Sequence, residues 1–157
     1  MRLYIMRHGH AEHTIGIDDA QRQLTEKGIQ RIETTAQVLK QLDINPTYIY
    51  SSPRVRARQT AEIVASALDK NIEITEAMNF GFGYSALKRL AESKATDAEL
   101  MFVGHEPTLS TVIEAITGAI VEMKPGGFAR IDIYDHSNMR GQLIWFIAPK
   151  VFDVLGQ

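Results

Sequence analysis

The chain has 157 residues, of which 45% are hydrophobic and 23% charged, with a net charge of −2 and no cysteine. That length and balance suit a single globular domain over residues 1–157 with a core of its own. The near-neutral charge gives no bias toward nucleic acid or a membrane surface. Without cysteine there can be no disulfide, thiolate metal site or cysteine nucleophile, and the composition fits a reducing, cytoplasmic setting.

The first apolar run, Leu3 to Met6, is too short for a secretory leader and reads as a fully buried strand. Thr25 to Leu42 reads as a helix capped by Thr25, with Ile29, Ile32, Ala36 and Leu39 on one face. Tyr48 to Tyr50 is a second strand, and Pro53 is expected to open a helix running to about Leu68. Ile72 to Thr75 is a possible third strand and Ser85 to Ser93 a short helix. Glu99 to Val103 is an apolar strand. Pro107 opens a helix with Leu109, Val112, Ile113 and Ile116 at helical spacing. A turn at Lys124–Gly127 leads to strands over Phe128–Tyr134 and Gln142–Ala148, joined as a terminal hairpin through Asp135–Gly141. No stretch approaches the roughly 18 apolar residues of a spanning helix.

Strands alternating with helices predict an α/β fold, a compact three-layer α/β/α arrangement around a mostly parallel sheet. In such sheets ligands bind beyond the carboxyl ends of the strands. His8 follows the first strand, the arginines Arg54, Arg56 and Arg58 follow the second, and His105 follows the strand Glu99–Val103. All three clusters are thus predicted at one sheet edge. The combination suits phosphoryl transfer, which needs a nucleophile and cationic donors for the phosphoryl oxygens. A neutral imidazole can attack phosphorus, and neighbouring arginines disfavour its protonation. Arg7 can serve both as that neighbour and as a phosphate fork.

Helical spacing separates the three arginines. Arg54, Arg58 and Glu62 share a polar line, so Arg58 is expected to pair with Glu62 and Arg54 to be solvated or peripheral. Arg56 shares a more apolar line with Thr60, Ile63 and Ala67, and is expected to face a pocket; an ion pair with Glu33 or Glu62 is the structural alternative. His105, between a strand and a helix start, can donate to a phosphate oxygen or merely cap the helix. Arg22 could reach the pocket rim or remain an ordinary surface arginine.

Four ordered segments resemble the histidine phosphatase superfamily, which also contains the phosphoglycerate mutases. Arg7-His8-Gly9 is similar to its N-terminal signature. Leu24-Thr25-Glu26-Lys27-Gly28 is similar to its Leu-Thr-x-x-Gly segment, Ser52 to Ala61 carries Ser-x-x-x-Arg-Ala-x-x-Thr, and Gly104-His105 is similar to the second histidine motif. The resemblance implies that His8 is the phosphorylated nucleophile and that Arg7, Arg56 and His105 complete the phosphate pocket; Gly9 and Arg22 are candidate substrate-binding residues beside it. It implies no metal and no cofactor. Within the superfamily the chain looks most like SixA-type phosphohistidine phosphatases. Position 11 is Ala, where mutases usually carry Ser or Thr, and the segment between Ala77 and Glu99 is too short for a substantial lid insertion. That implies a monomeric enzyme acting on a phosphohistidine-bearing protein such as a phosphotransfer domain or carrier.

One departure concerns the general acid. Many members place a Glu ahead of a Phe-Gly segment. Asn79-Phe80-Gly81 resembles that segment, but the matching position is Ala77, and Glu76 stands one place off. Glu76 is therefore the candidate acid, with an exposed strand-end carboxylate as its alternative. Phosphohistidine has an imidazole leaving group and needs less acid assistance than an alkyl ester.

Three other readings compete. One is a small-molecule phosphomonoesterase of the same fold. Another is a zinc hydrolase built on His8, His10 and His13, which leaves Arg7 and Arg56 unexplained. The last is a phosphate-binding module without turnover.

Overall fold

The computed structural model describes residues 1–157. Six strands form one sheet in the order β3-β2-β4-β1-β5-β6. They are β1 (Arg2–Arg7), β2 (Tyr48–Ser51), β3 (Glu73–Ile74), β4 (Glu99–Gly104), β5 (Phe128–Asp135) and β6 (Arg140–Ile147). The first four run parallel, and β5 and β6 add an antiparallel hairpin beside β1. Five helices cover the sheet: α1 (Glu26–Gln41), α2 (Val55–Leu68), α3 (Tyr84–Glu92), α4 (Thr108–Thr117) and α5 (Pro149–Leu155).

The three layers follow from strand alternation. In β1, Leu3 and Ile5 point to one face, where they pack with Leu100 and Phe102 of β4 against Leu87 of α3 and Leu109, Val112 and Ile116 of α4. Tyr4 and Met6 point to the other face and join Ile49, Met101 and Val103 against α1, α2 and Phe152 of α5. A central strand with both faces covered must be apolar at every position, which is why Leu3–Met6 reads as a continuous run. The expected α/β/α fold without a lid is what forms. Between β3 and β4 there is only a single-turn 3-10 helix, Glu76–Met78, and the nine-residue α3, whose Ala86, Leu87 and Ala91 are spent on the core.

Among the differences from expectation, two have a clear local cause. α2 begins at Val55, not at Pro53; Arg54 is its extended N-cap residue. The cause is local: the Ser52 hydroxyl accepts from the Arg54 N–H at 3.2 Å and turns the chain before the helix starts. α5 lies beyond the hairpin that the pattern takes as the last element. It opens at Pro149, a favoured first helical residue, and is tied down by Phe152 in the core and by the Arg31–Asp153 ion pair at 2.6 Å.

Candidate active site

Strand register sets the site. In the pairing of β1 with β4, Arg7 lies opposite Gly104, and in that of β2 with β4, Ser51 lies opposite Val103. The three strands therefore end level. The His8 N–H continues the ladder to the Gly104 carbonyl, and the Ser52 N–H to the Val103 carbonyl, both at 3.1 Å. His8, Ser52 and His105 emerge side by side, and the two histidine rings lie 5.3 Å apart between centroids.

The turn after β1 is shaped by α1. Gly9 runs so close to that helix that a β-carbon there would sit 2.8 Å from Ile32 Cγ1. One turn earlier in α1, a β-carbon on Gly28 would collide with the His10 carbonyl oxygen. The Thr25 hydroxyl caps α1 by accepting from the Gly28 N–H at 2.9 Å. The Leu-Thr-x-x-Gly segment is thus a helix cap followed by the one residue that lets the loop carrying His8 lie against the helix. From the other side, Thr60 Oγ1 accepts from the Gly9 N–H at 3.0 Å and donates to the Arg56 carbonyl at 2.8 Å. That links the Arg-His-Gly turn to α2.

His8 is buried, and its Nδ1 lies 2.7 Å from the Gly9 carbonyl. A carbonyl only accepts, so the ring proton sits on Nδ1 and the lone pair on Nε2. That lone pair faces Arg56 Nε at 3.3 Å. Burial foremost lowers the His8 pKa to about 4; the Gly9 hydrogen bond, next in size, opposes it, and the charges of Arg56, Arg7 and Arg22 add to the lowering. His105 is pushed down to about 3 by burial, then by His8, Arg56 and Arg54. At neutral pH both rings are uncharged.

Arg56 is 3% exposed and faces the pocket, as its helical line predicts. Its partner is neither Glu33 nor Glu62. Arg56 Nη1 donates to the Asp19 carbonyl at 2.8 Å and Nη2 to the Asp19 carboxylate at 3.1 Å. Arg7 gives one donor to the Met123 carbonyl at 2.8 Å, while its buried Nε has no partner; burial lowers its pKa. His105 Nε2 meets the Ser52 hydroxyl at 2.7 Å, and its buried Nδ1 also has no partner.

Arg54 corrects the expectation of a solvated side chain. It donates to Asp19 Oδ2 at 2.6 Å and to Asn79 Oδ1 at 2.7 Å, and its guanidinium lies 3.7 Å from the Phe80 ring centre. Arg54 precedes the helix, so the four-residue spacing that assigns it to the Arg58 line does not apply. Arg58 does pair with Glu62, at 3.6 Å on the surface. Arg22 spends its donors on the Glu12 carbonyl, the Asp19 carboxylate and His13, at 2.6, 3.0 and 3.3 Å, and so ties the loop beside the pocket. Glu76 is exposed and accepts from Asn79 at 2.7 Å, one residue removed from Arg54. It contacts neither histidine directly.

Sequence reasoning passed over Asp19, which sits in a 3-10 turn (Asp19–Gln21) and receives Arg22, Arg54 and Arg56. Burial alone would raise its pKa, but the hydrogen bonds from Arg22 and Arg56 and the surrounding positive charge hold it below the usual range. His10 and His13 turn to Thr25 and Arg22, and no three His or carboxylate groups converge as metal ligands would. The largest concavity, about 840 Å³, lies elsewhere between α1 and α2 and is lined by groups such as Gln30, Glu33 and Glu62. It holds no histidine or arginine, so the site is marked by chemistry and not by volume.

The sequence and the fold are both shared with known proteins. The pattern of the histidine phosphatase superfamily (branch 1) matches residues 3–81. An uncharacterized protein of Picosynechococcus is 38% identical over 137 residues, covering 81% of this chain and 82% of that protein. The structure of the protein histidine phosphatase SixA complexed with tungstate superposes with a TM-score of 0.86 at 23% identity, over 96% of this chain and 99% of that one. A chain from Agrobacterium tumefaciens assigned as phosphohistidine phosphatase SixA gives 0.79 at 27% identity, over 94% and 98%. A mycobacterial glucosyl-3-phosphoglycerate phosphatase shares the fold at 0.73 and 15% identity, over 94% and 98%.

Proposed function

The chain belongs to the histidine phosphatase superfamily, and from that premise we propose that it is a phosphohistidine phosphatase whose own His8 carries the phosphoryl group between two displacement steps. The observation that carries the reading is the fixed tautomer of His8: with its proton held on Nδ1 by the Gly9 carbonyl, Nε2 presents a lone pair to the pocket without needing a base.

In the first step Nε2 attacks phosphorus and a P–N bond forms to His8 while the substrate's P–N bond breaks; its electron pair stays on the leaving ring nitrogen, and the imidazole departs neutral because its other ring nitrogen carries a proton. Arg56 Nε–H, freed of the lone pair it faces, binds an equatorial oxygen. Arg7 Nε and His105 Nδ1, both buried beside His8 and without partners, supply further donors, with the Ser52 hydroxyl donating to His105 Nε2. Water then attacks phospho-His8, the P–N bond breaks with its electron pair returning to Nε2, and phosphate leaves. Gly9 is the close-packed turn under the phosphoryl group and Arg22 acts by holding the neighbouring loop.

Two observations support a phosphohistidine on a protein as the substrate. No large insertion follows β3 to cover the strand ends: only the Glu76–Met78 turn and α3 precede β4. The Glu76 carboxylate is engaged by Asn79 and stands off the pocket, which an imidazole leaving group tolerates better than an alkoxide. The SixA-type structural relatives favour the same substrate class. We read the chain as one domain over residues 1–157, acting as a monomer in the cytoplasm, where a cysteine-free enzyme is at home.

The decisive experiment compares substrates. A protein bearing phosphohistidine should exceed para-nitrophenyl phosphate and sugar phosphates in kcat/KM by about two orders of magnitude. The reverse order would make the chain a small-molecule phosphomonoesterase, the activity class of the mycobacterial relative.

A pH prediction follows from the lowered His8 pKa of about 4. The nucleophile must be neutral, so protonation inactivates it. Because its pKa lies below the ordinary value, activity survives acidification through pH 6.5 and is lost only toward pH 4. After correction for substrate titration, the acid limb of kcat/KM should fall near 4. A limb near the ordinary histidine value of about 6.5 would refute the electrostatic account.

A further inference from the structure

The geometry points to Asp19 as a positioning residue for the reaction, one that grips Arg56 by its outer edge and so aims the inner edge at the nucleophile. This rests on the reading of His8 as nucleophile. A guanidinium is planar and offers its five N–H donors in fixed directions. In Arg56 the two outer nitrogens are both taken by Asp19, Nη1 by its carbonyl at 2.8 Å and Nη2 by its carboxylate at 3.1 Å. Two contacts to one residue fix both the plane and the rotation of the group. Of the three N–H bonds left, the one on Nε points at the nucleophile, 3.3 Å from His8 Nε2.

Asp19 is itself held. Asp18 Oδ1 accepts from the Ala20 N–H at 3.2 Å at the start of the 3-10 turn. Arg22 grips Asp19 Oδ1 at 3.0 Å while its Nε holds the Glu12 carbonyl at 2.6 Å. The second carboxylate oxygen also takes Arg54 at 2.6 Å, which reaches Asn79 and covers the face of Phe80. One negative charge therefore organises three positive ones along the pocket wall, and connects the nucleophile to the Asn79–Phe80 segment.

Two consequences of opposite sign follow. Removing the carboxylate leaves the arginine cluster less neutralised, so a bound anion is held as well or better. It also frees Arg56 to rotate, so the donor is no longer preset where charge develops as phosphorus is attacked, and turnover falls. A structural prop would lose both together, whereas an internal competitor for the phosphate site would raise turnover when removed.

The test measures kcat, KM, tungstate affinity by calorimetry and Tm for the full chain with Asp19→Asn and Asp19→Glu. Asp19→Asn should lower kcat by roughly 10–100-fold while the tungstate Kd stays equal or tightens. Asp19→Glu, which restores the charge one methylene further out, should recover part of kcat. If Asp19→Asn does not fold, Asp19→Glu carries the same comparison: reduced kcat with tungstate binding retained supports the role. Unchanged or raised kcat, or kcat and tungstate binding lost in parallel, would overturn it. His8→Ala run alongside separates the two ideas, because turnover surviving in that variant defeats the nucleophile itself, whereas a dead His8→Ala beside a normal Asp19→Asn defeats only the role of Asp19.

Discussion

Replacing His8 by alanine should reduce phosphate release by about 10³-fold or more, the scale on which enzymes lose a covalent route, and should leave tungstate binding within a few-fold of the unmodified chain. The separation follows from where the anion's donors come from. Arg7, Arg56 and His105 enter the pocket from the end of β1, the start of α2 and the end of β4, and each is held by a partner other than the His8 ring. Arg56 is gripped by Asp19, Arg7 by Met123 and His105 by Ser52. Deleting the imidazole removes the attacking lone pair and one contact to Arg56 Nε, and leaves the arginine donors in place. The alanine chain should also fail to accumulate acid-labile phosphate on a rapid quench, whereas the unmodified chain should show it. Turnover retained in His8→Ala would sink the mechanism. Tungstate affinity abolished along with turnover would mean that the ring, and not the arginine cluster, builds the anion site.

Most of the fold was legible in the residues because its central strands are buried on both faces and so carry uninterrupted apolar runs. Leu3–Met6 and Leu100–Val103 are of this kind, and their ends place His8 and His105 at one edge of the sheet. Arg56 was legible too, because an arginine on an apolar helical line has to be accounted for. Arg54 was misjudged for a reason internal to the same argument: the period of 3.6 holds only inside a helix, and the Ser52 turn leaves Arg54 outside it. Asp19 had no local mark at all. It lies in a three-residue 3-10 turn after a polar loop, beside another aspartate, and reads as solvated. Its meaning comes from Arg54 and Arg56, 35 and 37 residues away, and no periodicity spans such a gap. α5 escaped because only Phe152 of its seven residues is buried, too few to make a repeating pattern. The Leu-Thr-x-x-Gly segment was recognisable as letters, but its reason, the His10 carbonyl pressed against Gly28, appears only when the loop and the helix are seen together.

Arg56→Lys should cost roughly 10²–10³-fold in kcat/KM, the cost of losing one preorganised donor to a developing oxyanion, although the positive charge is kept. Lysine ends in a single ammonium on a flexible stem. It cannot at once hold the Asp19 carbonyl, hold the Asp19 carboxylate and point a donor at His8 Nε2, which the three nitrogens of Arg56 do together. Faced with that choice, the ammonium should settle on the carboxylate, the stronger partner. The pocket then keeps its net charge and loses a directed N–H. Arg56→Ala should fall further in activity and also lose tungstate affinity, since it removes the charge as well as the direction. A rival account makes Arg56 a buried structural partner of Asp19 and nothing more. On that account Arg56→Lys, which preserves the ion pair, would keep its kcat/KM, and Arg56→Ala would show its damage in Tm. The two accounts therefore divide on the lysine variant: near-normal turnover there would return Arg56 to the scaffold, whereas a folded, tungstate-binding and slow enzyme would assign its work to the aim of one N–H bond.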